Sequence, residues 1–100
     1  MERRNDIPNL LAMYIHNTSE IYNITSWLHD SLIKKINKGI QPQLECLANC
    51  STIKTIIREA AKLLYKYDGI TPTRQEKQEA AREHAKYILD SVQYSIQKHQ

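Results

Sequence analysis

The stretch CLANCSTIKTIIREAAKLLYKY, residues 46–67, decides the fold class. In it Cys46, Cys50, Ile53, Ile57, Ala60, Leu64 and Tyr67 recur at alternating spacings of four and three, with Ile56 and Leu63 alongside. That alternation is the period of a helix with one buried face, and no strand pattern competes with it. Within it Asn49-Cys50-Ser51-Thr52 is a run of weak helix formers, and Ser51 suits an N-cap, so the stretch is read as one helix with room for a kink or break near Ser51.

Working outward, the chain is punctuated by Gly39 and Gly69 and by Pro8, Pro42 and Pro72. Proline tolerates the first helical turn and glycine the left-handed position just past a helix end, so these marks delimit three helical blocks near 7–38, 42–67 and 72–98. In the first, Ile7, Leu11, Tyr14, Thr18, Ile21, Thr25, Leu28 and Leu32 keep the same alternation. Leu10 and Ile24 widen it on one side, and Ile15, Tyr22 and Ile36 on the other. A polar line remains at every seventh residue, from Asn9 through His16, Asn23 and Asp30 to Asn37.

The third block opens on Thr73 and Glu76, at capping-box spacing, with Thr71 an equally good N-cap. It then runs a stripe of Ala81, Ala85, Ile88, Val92 and Ile96. Its first turns, Arg74 to Glu79, are polar all round and are expected to lie in solvent or over a partner. Ala60 and Ala61 are expected to face Ala80, Ala81 and Ala85, where small side chains let helix axes approach. Short connections favour antiparallel neighbours, so the expected fold is all-α: one domain over residues 1–100, an antiparallel bundle of three long helices. The first helix, apolar around most of its circumference and about 48 Å long at 1.5 Å per residue, exceeds what a compact monomer needs. A helical homo-oligomer is therefore expected.

The chain has 100 residues, 41% of them hydrophobic and 25% charged, with a net charge of +3. This is a globular mix with room for one core and none for a separate catalytic module. No apolar run approaches the roughly 20 residues of a membrane span, and no apolar region follows Arg3 and Arg4, so a cytoplasmic protein is expected. The triplets beginning at Asn17, Asn23 and Asn49 match the glycosylation acceptor pattern, which has no meaning without a secretory route.

The motifs of phosphate-cradling loops, zinc helices and calcium loops are missing, and no nucleophile can be paired with a base by spacing. Glu76, Glu79 and Glu83 interleave with Arg74, Lys77, Arg82 and Lys86, the pattern of a solvated ion-pair face. Cys46 and Cys50 have the spacing of two metal ligands, but a closed zinc site needs four and no second pair joins them. They are read as reduced core residues, and His29 and His99 as surface histidines. Neither metal nor cofactor is expected, and no enzymatic activity.

What remains is a basic stripe along the second helix: Lys54, Arg58, Lys62 and Lys66 at four-residue spacing, with Tyr65 on the same outer side. Cations beside an aromatic ring hold phosphates while the ring stacks on a base. The chain also has six tyrosines, one tryptophan and no phenylalanine, a set that favours rims and interfaces over dry cores. In build, the chain resembles the short helical accessory proteins of bacteriophages and mobile elements. The expected function is a small binding protein for an anionic molecule such as a nucleotide, or for a host protein. Two rivals stand beside it: a nucleic-acid-binding module, and a purely inhibitory protein-interaction bundle.

Overall fold

The computed structural model describes residues 6–98. His99 and the first five residues, including Arg3 and Arg4, lie outside that range. The described residues form five helices: α1 (Ile7–Asn17), α2 (Ser19–Asn37), α3 (Leu44–Ala48), α4 (Ser51–Asp68) and α5 (Arg74–Lys98), with no strand among them. The three long helices expected from the pattern are therefore corrected to five, because the first two blocks each break once.

The first break is one residue wide. Thr18 takes an extended conformation (φ −109°, ψ 114°) and serves as both the end of α1 and the N-cap of α2. Asn17, Thr18 and Ser19 all favour caps over helix interiors, because their side chains compete for backbone groups. The break also shifts the buried phase. In α1 the innermost positions are Ile7, Leu11 and Ile15, with Tyr14 at the edge, whereas α2 buries Ile21, Thr25, Leu28 and Leu32 as the period predicts. The 48 Å helix on which self-association rested is thus two shorter ones.

The second break falls where weak helix formers cluster, with Cys50 extended (φ −73°, ψ 159°) as the N-cap of α4. Asn49 compensates by donating from Nδ2 to the Glu45 carbonyl at 2.8 Å, and the Cys50 N–H donates to Leu47 O at 3.1 Å. This turn rotates α3 so that Leu47 and Ala48 face inward while Cys46 is exposed. The cysteine positions of the seam are corrected accordingly: Cys46 is outside the core and Cys50 is half-buried. Tyr67 is likewise outside, 65% exposed at the last turn of α4.

The other boundaries follow the punctuation. Gly39 (φ 88°) donates to Ile36 O at 2.9 Å and Ile40 to Lys35 O at 3.0 Å, the paired bonds of a Schellman ending. Gly69 (φ 66°) ends α4 by donating to Tyr65 O at 2.9 Å. Thr73 and Glu76 form the capping box: Thr73 N–H donates to Glu76 Oε1 at 2.7 Å, and Glu76 N–H to Thr73 Oγ1 at 3.1 Å.

Tyr14 of α1 meets Asp68 at the end of α4, while Ile24 and Trp27 of α2 lie against Ser51–Thr55 at its start. The first block therefore runs antiparallel to α4. The short turn through Gly69 brings α5 back, so that His16 meets His84 and His29 meets Ser95. All five helices contribute to one contiguous apolar cluster, centred on Ile53, Ile56 and Leu64 of α4 and Ile88 and Val92 of α5. Among the described residues no helix is long and apolar enough to cross a membrane.

Candidate functional site

Along α4 the outward positions alternate with the buried seam, so Lys54, Arg58, Lys62, Tyr65 and Lys66 are all exposed. They do not form one surface. A step of four residues turns a helix by 400°, so each cation is displaced about 40° from the one before, and Lys66 ends up about 120° from Lys54. Lys54 and Arg58 look toward α5. Lys62 instead pairs with Glu59 at 3.2 Å, and Lys66 lies 5.3 Å from the centre of the Tyr67 ring, a cation–π contact. Tyr65 is 64% exposed and borders none of the three grooves described below.

The largest groove, about 1000 Å³, runs between α4 and the first turns of α5 and is closed at one end by α3. Lys54 and Arg58 form one wall, and Arg74, Lys77 and Arg82 the other. Glu45 and Glu79 are the acids on its rim, and Glu45 is ion-paired with Arg82. The floor is apolar and mostly small: Ala48, Ile57, Ala61 and Ala81. Ala61 and Ala81 both line this floor, and the polar start of α5 borders the groove.

The α5 wall is missed by reading charge along the chain, where acids and bases interleave. Projected at 100° per residue, Arg74, Lys77 and Arg82 fall on one side of the helix, Glu76 and Glu83 group toward the other, and Glu79 lies between Arg82 and Glu83 at the groove's edge. That angular sorting is the signal in the sequence.

A second groove, about 300 Å³, lies between α1 and α5, lined by Pro8, His16, Glu79, Glu83, His84 and Tyr87 among others. His84 is only 4% exposed and shares a 3.1 Å hydrogen bond from Nε2 with Thr25 Oγ1. Its ring stacks on Tyr87 and meets His16 edge-on, with centroids 6.0 and 5.9 Å away. Burial, and after it the neighbouring His16, pushes the His84 pKa down to about 4 from the ordinary 6.5. His84 is thus neutral at pH 7, a core histidine whose partner is the threonine of the α2 stripe. Both positions are legible as inward: Thr25 lies on the α2 stripe, and His84 sits beside Ala85 and four residues before Ile88.

His29 is not a plain surface residue either. Its Nε2 lies 3.4 Å from Ser95 Oγ and its Nδ1 3.4 Å from Asp30 Oδ1. The order resembles a serine–histidine–carboxylate relay, but the spacings are long and none of the three grooves reaches Ser95. A last groove, about 460 Å³ and largely apolar, separates Asn23, Ile24 and Trp27 of α2 from Ser51, Thr52 and Thr55 of α4. At the far end of α4 Tyr14 donates to Asp68 Oδ2 at 2.6 Å, and that hydrogen bond, first among its causes, raises the phenol's pKa. Among the described residues no three His, Cys, Asp or Glu side chains are grouped to hold a metal ion. No protein-family model, curated protein or solved structure matches the chain.

Proposed function

We propose that the chain is a non-enzymatic binding protein whose α4–α5 groove takes an anionic ligand. The observation that carries this reading is that Lys54 and Arg58 on one wall, and Arg74, Lys77 and Arg82 on the other, line a single groove that holds only two acids, one of them paired with Arg82. These cations come from two separate helices, and like charges are brought together at an electrostatic cost that an anion relieves. Asn49, Gln75 and Gln78 on the same walls supply neutral hydrogen-bonding groups. The lining is suited to holding a carboxylate or phosphate by charge and hydrogen bonds.

The test is thermal unfolding in the presence of ATP, pyrophosphate, a single-stranded oligonucleotide and an acidic peptide, since a ligand that binds only the folded state raises the melting temperature. At least one of these anions raises it. Arg58→Ala with Lys77→Ala removes the rise and leaves the unliganded melting temperature nearly unchanged, because exposed charges contribute little to folding. No response to any anion, or a full response in the double variant, removes the proposal. Self-association belongs to the same reading, through the α2–α4 groove, where Trp27 is 62% exposed beside Ile24.

A further inference from the structure

The geometry points to one class of occupant for the α4–α5 groove: an amphipathic helix of a protein partner, with acidic residues on both flanks of an apolar stripe. This rests on the anionic-ligand reading above and narrows it.

The cations form two rows rather than one cluster. On α4, Lys54 and Arg58 are one turn apart, about 6 Å along the axis, and on α5 the row from Arg74 to Arg82 spans about 12 Å. A phosphate chain of nucleotide size needs its donors converged on a few atoms, whereas these rows stand on opposite walls. Carboxylates one turn apart on a docked helix repeat at the same 6 Å as Lys54 and Arg58, so each row can be met by acids on one flank.

Between the rows the floor is Ala48, Ile57, Ala61 and Ala81. A purely charged ligand gains nothing from such a floor. An apolar stripe laid on it loses its own exposure to water; the floor is already mostly buried, with Ala48 and Ala81 8% and Ile57 4% exposed, and its alanines leave room for a helix to approach closely. The groove is also a trough with exposed walls, while small-molecule sites enclose about 70–90% of their ligand.

The α5 wall already holds a carboxylate in this manner. Glu45, carried on the five-residue helix α3, reaches across to Arg82. The contact is an internal instance of the pairing the partner would repeat at Arg74 and Lys77. Glu79 on the same wall disfavours a partner acid opposite it, which sets a register: a neutral or basic residue belongs at that point.

The experiment uses the full chain and four labelled probes. One is an ~18-residue peptide with leucines at the helical period and glutamates on both flanks. The second has the same composition with the leucines scattered, and the others are ATP and a single-stranded oligonucleotide. Binding is read by fluorescence anisotropy, and the Ala48, Ile57, Ala61 and Ala81 methyl resonances report occupancy of the floor. The patterned peptide is expected to bind, to move those methyls, and to exceed the scattered peptide by about tenfold or more, the equivalent of about 1.4 kcal/mol. Arg58→Glu with Lys77→Glu, both on exposed positions, should weaken it at least as much without lowering the melting temperature. Equal binding of the two peptides, or binding of ATP or the oligonucleotide without the patterned peptide, overturns the helix inference and leaves the anionic groove standing. Binding of none of the four overturns both.

Discussion

Replacing His84 with glutamine removes a proton-binding group from the core while keeping a side chain able to bond to Thr25. In the folded protein His84 titrates near 4, and in the unfolded chain near its ordinary 6.5. Above about pH 6.5 both states are neutral at this residue, and it contributes nothing to the pH dependence. As pH falls from about 6.5 to 4 the unfolded chain takes up a proton that the folded chain refuses, so stability is lost. Below about 4 both states are protonated and the loss levels off. At full expression the difference in pKa corresponds to about 3 kcal/mol. The groups facing His84 are His16 from α1, Thr25 from α2, and Glu79, Glu83 and Tyr87 from α5. Burial opposes protonation of His84 most, and His16 opposes it next. Urea unfolding of the parent and of His84→Gln at a series of pH values from about 8 to 3.5 isolates the effect, since the other carboxylates and histidines titrate in both proteins. The variant should gain about 3 kcal/mol relative to the parent across that range. Parallel stability curves, or an NMR titration of His84 centred near 6.5, would refute the argument that burial keeps this ring neutral.

Ile53 is fully buried at the centre of the cluster, so Ile53→Ala should cost about 2–5 kcal/mol in urea unfolding; a cost under 1 kcal/mol would place the core elsewhere. Thr73→Ala removes one bond of the α5 capping box and should cost about 1 kcal/mol in the same assay; an unchanged midpoint would show that the box contributes nothing. Gly69→Ala meets no atom within 4 Å, so its expected penalty of about 1–2 kcal/mol comes from the positive φ alone. An unchanged midpoint would show that the turn relaxes. Light scattering coupled to size exclusion should report more than one chain, and Trp27→Glu should shift the population toward monomer; a monomeric parent at micromolar concentration removes that part of the proposal.

The helical class, the inward faces of α2, α4 and α5 and the glycine and capping-box ends were all written in local sequence. Each depends on interactions within one turn, or on a period that the chain displays by itself. Ile21, Thr25, Leu28 and Leu32 are buried because their spacing allows no other common face. The breaks at Thr18 and Cys50 were less legible. A run such as Asn17-Thr18-Ser19 only weakens a helix, and whether it breaks depends on what the neighbouring elements gain by turning. At Cys50 the turn brings Leu47 and Ala48 inward at the expense of Cys46. The candidate site divides in the same way. Lys54 and Arg58 stood out on one helix by their spacing, but the groove also needs Arg74, Lys77 and Arg82. That pairing follows from how α5 folds back through Gly69, and the separation of Lys62 and Lys66 from it follows from the twist of α4. The bond between Thr25 and His84 likewise joins positions 59 residues apart. Local periodicity shows which side of a helix faces inward, and only the packing of the helices decides what it meets there.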